Sequence, residues 1–296
     1  MNLRTLGAYA VTESMTAPQI KEFALKAEKL GYGAMWFPEA LGRDPFALAA
    51  YILGSTSNLV VGTGIANVWK REASAMIGAG RTLAEMYPDR FILGIGISHG
   101  PMMSQLGIDY TKPLTFMREY LSKMKSAPYT APRPPSDPPI IVAALLPKML
   151  QLAASETSGT FPVYITPEQT GRIRKAIGPD KWICVQQVVM LENDAGKARR
   201  AARAIIAFYL GLPNYLQSLR TLGFDEKDFA NSGSDRLVDA MIAWGDERKI
   251  RERIAAHYEA GATHVSITCV RSEGSPRERA LPDDRALESF APGARR

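Results

Sequence analysis

The stretch Arg90-Phe91-Ile92-Leu93-Gly94-Ile95-Gly96-Ile97-Ser98-His99-Gly100-Pro101 decides how the rest of the chain is read. Phe91, Ile92, Leu93, Ile95 and Ile97 form a run of large apolar residues suited to burial on both faces, as in a parallel sheet. Glycine weakens a strand interior, so Gly94 and Gly96 mark a bend or a close approach to the backbone. The run ends in Ser98 and His99. In a barrel of parallel strands, that C-terminal end is where chemistry is done. Gly94-x-Gly96 is not a dinucleotide fingerprint: the third glycine is missing from its slot and no helix is predicted to open there.

Working back from this strand, the chain alternates strand and helix with short links. Leu3 to Val11 is a predicted strand, and Thr16-Ala17-Pro18-Gln19 fits a capping box. Ile20, Phe23, Ala24, Ala27 and Leu30 then recur at helical spacing. Ala34 to Phe37 is a second strand, Phe46 to Leu53 a helix and Asn58 to Ile65 a third strand. Ala73 to Tyr87 is the helix before the quoted run. Four strand–helix alternations in this span imply parallel strands joined by helical crossovers.

Working forward, Gly100 to Pro113 is long for a strand-to-helix link and is a candidate lid. Leu114 to Met124 is helical, and a proline-rich connection runs from Pro128 to Pro139. Further strands are predicted at 140–144, 161–165, 182–191 and 263–270. Helices are predicted at 148–157, from Thr166-Pro167-Glu168-Gln169, at 195–210, at 235–244 and after Gly245-Asp246. Leu212 to Ser234 reads as short helices outside the barrel. Eight strands favour one (β/α)8 TIM barrel, with insertion segments at the C-terminal face, over an open sheet. The expected organisation is a single domain, 1–296, with 271–296 as a surface tail that frays.

Composition narrows the class. Hydrophobic residues make up 46% of the 296 residues and charged residues 22%, which allows a large core. No apolar run reaches the roughly 18 residues of a membrane span. The N-terminus lacks the pattern of a signal peptide. Cys184 and Cys269 lie in strand-like runs and read as free core thiols of a cytoplasmic protein. No CxxC or Cys/His cluster suggests a metal site. The net charge of +6 is partly local, on Lys197, Arg199, Arg200 and Arg203 of one helix. It reads as a solvated face, without the interleaved aromatics of a nucleic-acid surface.

Few residues are placed for chemistry. His99 follows the fourth predicted strand and could exchange a proton with a substrate. His257 and His264 fall in a helix and at the opposite end of the last strand, where a structural role is expected. Glu39 ends the second strand, either as a mouth carboxylate that binds or protonates a ligand or within an ion network with Arg43 and Asp44. Glu13 has a similar but less supported place. Gly62-Thr63-Gly64-Ile65-Ala66-Asn67 ends the third strand, as a bulge toward a flat ligand or simple close packing. Ala143-Ala144 and Ser158-Gly159-Thr160 offer backbone N–H groups for a phosphate. So few charged catalytic groups suit a cofactor that brings its own reactivity.

From about Leu3 to Val270 the chain resembles the luciferase-like superfamily, in particular its deazaflavin (coenzyme F420)-dependent oxidoreductases. The resemblance rests on Leu30-Gly31-Tyr32-Gly33-Ala34-Met35-Trp36-Phe37-Pro38-Glu39, on Gly62 to Asn67 and, above all, on Tyr87 to His99. Leu212-Pro213-Asn214-Tyr215 and Ala260-Gly261-Ala262-Thr263-His264-Val265 resemble one actinobacterial subgroup. The resemblance implies a deazaflavin lying across the C-terminal ends of the strands. A non-proline cis peptide, here Gly64-Ile65, would support the ring, with Gly64, Ile65, Ala66, Asn67 and Ser98 as contacts. It implies phosphate contacts at Ala143, Ala144, Leu145, Gly159 and Thr160, catalytic positions at His99 and Glu39, and a homodimer. The chain departs from family habit at Ala40, at Leu146 and at Thr157-Ser158-Gly159. Two rival functions follow: an FMN-dependent monooxygenase on the same barrel, and a barrel that has lost turnover and serves binding or assembly.

Overall fold

The computed structural model describes Leu3, residues 5–279 and residues 281–293. Met1, Asn2, Arg4, Ala280 and residues 294–296 lie outside it, and with them parts of the predicted first strand and of the tail. Ten strands run in chain order: β1 Leu6–Tyr9, β2 Ala34–Phe37, β3 Val60–Thr63, β4 Ala66–Asn67, β5 Phe91–Gly96, β6 Ile140–Val142, β7 Gly159–Thr160, β8 Trp182–Leu191, β9 Ala243–Gly245 and β10 His264–Cys269. Parallel pairing runs β10-β1-β2-β3-β5-β6-β7-β8, and β8 pairs back to β10, closing an eight-position barrel. β4 continues the β3 position beside β5. The fold is the (β/α)8 barrel read from the alternation.

Alternation along each strand separates two cores. Met35, Phe37, Val61, Phe91, Leu93 and Ile95 pack outward under the helices. Ala34, Trp36, Val60, Ile92, Ile141, Phe161 and Cys184 fill the interior with Tyr9. Trp36 Nε1 donates to His264 Nε2 at 2.9 Å, and Trp36 stands 4.6 Å from Phe161 between ring centroids. His264 is thus a buried interior acceptor, as its place at the start of the last strand suggests.

Helix starts follow their caps. Thr16 and Thr166 form complete capping boxes with Gln19 and Gln169, and Asp44 caps Pro45–Ser55 through Phe46 and Ala47. Proline stands in the first turn of the helices starting at 45, 113, 147, 167 and 213, where a missing N–H costs nothing. The insertion beside β8 has its own core, in which Ala198, Ala202, Leu219, Leu237 and Val238 pack with Val188 and Met190. Its basic helix is ion-paired: Arg199 binds Asp239 and Asp235, Arg203 binds Asp235, and Lys197 binds Glu273.

Three expectations change. The sixth strand is Gly159–Thr160, not 161–165. Pro162 has no N–H to extend a ladder, and only Val163 makes an isolated bridge to Gln186. Residues 243–245 leave the predicted helix and form β9 against Val189–Leu191. The tail, expected to fray on the surface, contains the helix Asp284–Ser289, with Ala286, Leu287, Phe290 and Ala291 in the core. Tyr32 Oη donates to Leu287 O at 2.7 Å, fixing this helix across the β1–β10 seam.

Candidate active site at the barrel mouth

The mouth is built on the break between β3 and β4. The Gly64–Ile65 peptide is cis, as the resemblance implies. Gly64 N donates to Phe37 O at 2.7 Å, and Tyr9 Oη donates to Gly64 O at 2.9 Å. Glu39 N donates to Ile65 O at 3.0 Å, while Glu39 Oε2 accepts from Asn67 N at 2.7 Å. Glu39 therefore grips the break on both sides. Of residues 64–67 only Ile65 is partly exposed; Gly64, Ala66 and Asn67 are buried.

The Glu39 carboxylate is fully engaged. Its side chain is 0% exposed and receives Arg71 in a two-pronged contact, at 2.6 and 2.9 Å, with Lys70 at 3.0 Å. Such a carboxylate serves as a brace. Arg43, expected beside it, turns away to the carbonyls of Thr12 and Met15, while Asp44 shares Arg71. Asn67 is internal too: Nδ2 donates to Met103 Sδ at 3.3 Å and Oδ1 accepts from Trp69 N at 3.0 Å. Asn67 holds the segment in place and is kept from a ligand by burial.

The glycines of the quoted stretch serve this break. A Cβ on Gly94 would lie 1.9 Å from Thr63 O, and one on Gly96 would lie 2.7 Å from Ile65 Cγ1. A Cβ on Gly62 would lie 2.3 Å from the Trp36 ring. The room they leave is filled by protein: a carbonyl, an isoleucine and an indole. Thr63 Oγ1 also donates to Gly94 O at 2.7 Å.

Past β5, Ser98 takes a left-handed backbone (φ 54) and turns the chain into a short helix, Gly100–Gln105. The candidate lid, 100–113, is docked: Met103 is buried, and Tyr110 packs 5.5 Å from Trp69 with its hydroxyl 3.4 Å from Ser98 O. His99 meets three aromatic rings, Phe208 at 5.8 Å, Tyr215 at 5.9 Å and Tyr209 at 6.3 Å. Burial lowers its pKa to about 4, so the imidazole is neutral at pH 7. Neither ring nitrogen has a hydrogen-bond partner among the described residues.

Phosphate-type groups have one candidate place. Ala143 and Leu145, at the end of β6, are partly exposed and Ala144 is buried. They lead into helix Pro147–Glu156, whose N-cap Leu146 offers no side-chain cap. Ala143 N is spent on Ile95 O at 2.9 Å, so the donors at this end begin at Ala144; free N–H groups there attract anions, and they fit a cofactor's phosphate. Gly159 and Thr160 do not join it. They pair with Ile141–Val142 and Trp182–Ile183 where β7 enters the barrel, and Thr160 Oγ1 is spent on Val142 O at 2.8 Å. Thr157 and Ser158 form the link entering β7, at the opposite face, so their departure from family habit does not touch the mouth.

The aromatic wall is a feature the sequence reading missed. Tyr164, Tyr209 and Tyr215 stand with His99 over the interior, and Tyr209 lies 3.9 Å from Tyr164 and 5.0 Å from Tyr215. Phe208 and Tyr209 sat inside a predicted helix that actually ends at Ile206. The available signal was the pair of aromatics just before Leu212-Pro213-Asn214-Tyr215.

The fold and site define a closed parallel (β/α)8 barrel whose mouth carries a half-buried neutral histidine under an aromatic wall. Residues 3–264 match the model of the luciferase-like monooxygenase family, and the chain belongs to that family. A Mycobacterium tuberculosis protein carrying the name coenzyme F420-dependent oxidoreductase is 23% identical, covering 85% of this chain and 91% of its own. The coenzyme F420-dependent tetrahydromethanopterin reductase of Methanopyrus kandleri superposes with a TM-score of 0.76 at 18% identity, over 97% of each chain. The oxygenating constituent of 3,6-diketocamphane monooxygenase of Pseudomonas putida, solved with FMN, superposes at 0.71 and 15% identity, over 97% of this chain and 96% of its own. At these identities the structural likeness is one of fold.

Proposed function

We propose that this chain is an oxidoreductase that moves a hydride between coenzyme F420 and a small organic substrate. The observation that carries the reading is His99 at the end of β5, its ring nitrogens without a partner among the described residues, beside the neighbouring strand position where Ile65 is partly exposed. When bound, the deazaflavin supplies or accepts the hydride. Ile65 and the backbone around Ser98 would hold its ring, and Ala144 and Leu145 with the helix start after Leu146 would hold its phosphate. His99, neutral and with free ring nitrogens, exchanges a proton with the substrate oxygen through one of them. Glu39 positions the break for this task. The M. tuberculosis relative supports the choice of cofactor.

Reconstitution tests the reading. The purified protein is titrated with oxidised F420 and with FMN while fluorescence is followed, and F420 binding is expected. Tight FMN binding without F420 binding, joined to oxygen uptake with reduced FMN, overturns it in favour of a monooxygenase. Failure to bind either points to a binding or assembly protein.

The proposed assembly is a homodimer of one-domain chains spanning 1–296, in which the helix Asp284–Ser289 packs into the core. Helix Pro45–Ser55 carries no charge, yet Ala47, Tyr51 and Gly54 are exposed. Its neighbour Ala73–Met86 exposes Ser74, Ala75 and Thr82, with open space over Gly78. A helix apolar on all sides needs cover. Ala75→Arg should convert a dimer to a monomer by light scattering. No helix among the described residues is long and apolar enough to cross a membrane. The cytoplasm is the proposed location, in keeping with free thiols at Cys184 and Cys269.

A further inference from the structure

We infer that Tyr209 is a displaceable plug whose phenol occupies the substrate slot, and that the slot takes an uncharged, ring-bearing carbonyl compound or alcohol. Calling the occupant a substrate rests on the oxidoreductase reading above; the slot itself rests on geometry.

Tyr209 lies in a single turn, Tyr209–Gly211, between helices Ala195–Ile206 and Pro213–Arg220. The turn is held from inside, by Leu210 against the insertion core and by a Tyr164–Tyr209 hydrogen bond, and is open on its outer side. Ala207, Phe208 and Gly211 are exposed, and nothing lies within 4 Å of where a Cβ on Gly211 would sit. Yet the Tyr209 ring reaches inward to Tyr164 and Tyr215 and meets His99 edge-on at 87°. It also acts electrostatically on Tyr9, whose hydroxyl is bonded to Gly64 O. The Tyr209 side chain, hydrogen-bonded to Tyr164, thus stands beside the proton-exchanging imidazole, on the side of the interior where Tyr9 holds the Gly64 carbonyl. That is where a substrate must lie if the ring of a cofactor rests on Ile65.

The surroundings fix the chemistry of the slot. Burial, and then only other tyrosines, raise the pKa values of Tyr9, Tyr164 and Tyr215, and burial alone lowers that of His99. Among the described residues, no cation or carboxylate is a cause of the shift at any of the four. The charged network at the mouth, Glu39 and Asp44 with Lys70 and Arg71, pairs within itself. An ionised ligand here would be desolvated without a partner. An uncharged ring would gain stacking on the aromatic wall and one hydrogen bond to His99. Tyr209 itself is such a group, a ring bearing one oxygen.

The test uses p-cresol, the tyrosine side chain as a free molecule, on the full chain without cofactor. Removing a plug exposes a slot of its own shape, as engineered cavities bind small rings. Tyr209→Ala should bind p-cresol about tenfold or more tighter than the wild type by calorimetry, a gain of about 1.4 kcal/mol. Tyr209→Phe, which keeps the ring, should match the wild type. The ions 4-methylbenzoate and 4-methylbenzylammonium should not bind. Equal p-cresol affinity in all three proteins, or equal binding of an ion, overturns the inference. If Tyr209→Ala does not fold, Tyr209→Leu takes its place with the same expectations. F420 binding is measured separately: loss of that alone sinks the cofactor and leaves the slot standing.

Discussion

Glu39 and Asn67 are joined by a 2.7 Å hydrogen bond from backbone N–H to carboxylate across the mouth of the barrel, and neither is free for a ligand. The acid at the end of the second strand therefore shapes the site without entering the chemistry. With Asp44 it balances Arg71 and Lys70, and it fixes the segment that carries Ile65.

Glu39→Ala should be costly, because Arg71 and Lys70 would lose a buried counter-ion. Breaking such a pair costs about 3–5 kcal/mol. Urea denaturation should show that loss, and F420 affinity should fall with it. A stable Glu39→Ala protein that loses turnover alone would return Glu39 to a catalytic role.

His99→Ala should lower kcat by roughly 10²–10⁴ if His99 exchanges a proton with substrate, with cofactor affinity little changed. The depressed pKa, about 4, sets the pH behaviour. The neutral form persists down to about pH 5, so His99 contributes no activity loss between pH 8 and 5. A limb centred near 6.5 that vanishes in His99→Ala would contradict this placement.

His257 makes stability sensitive to acid. It is buried between Thr170 Oγ1 and Gln187 Oε1, each 2.9 Å from a ring nitrogen. Gln187 Nε2 donates to Val188 O and Met241 O, so its oxygen faces His257 and requires Nε2–H. Burial first, then Arg253, lowers the pKa of His257 to about 3. The unfolded chain, titrating near 6.5, binds more protons below that pH. The contribution is complete above pH 6.5 and is lost as pH falls toward 3. His257→Gln should flatten the urea midpoint over this window; an unchanged slope would show that other groups dominate.

Gly94→Ala should cost at least about 3 kcal/mol, the upper end of overpacking, because the new methyl meets the Thr63 carbonyl at 1.9 Å and backbone cannot swing aside. Gly96→Ala meets the Ile65 side chain at 2.7 Å and, less severely, Ala143 Cβ at 3.2 Å, so Ile65→Ala should rescue most of it. A denaturant double-mutant cycle without coupling would refute that packing.

Much of the barrel was legible because parallel strands buried on both faces and capped helices leave local marks. The strand Trp182–Leu191 and the capping boxes at Thr16 and Thr166 lie where those marks put them. β9 was not legible, since three residues, Ala243-Trp244-Gly245, are too few to show alternation after an amphipathic helix. The end of the sixth strand was misread because Phe161-Pro162-Val163 is apolar enough for a strand, and only the missing N–H of Pro162 argues against one. At the site, the cis peptide lies where the resemblance put it, while Gly159 and Thr160 pair within the barrel at the start of β7, apart from Ala143 to Leu145. Position along a strand depends on sheet stagger, which no single segment encodes. The roles of Glu39 and Asn67 depend on Arg71 and Met103, partners distant in sequence.

The room made by Gly96 for Ile65 has a consequence for relatives of this chain. The two positions form one unit of inheritance: a bulkier residue at 96 is tolerated only where position 65 has shrunk. Sequence drift at the mouth is thereby tethered to the inner face of β5. A glycine at 96 beside a large residue at 65 then reports the geometry of the break in a homologue, whichever cofactor that homologue has come to use.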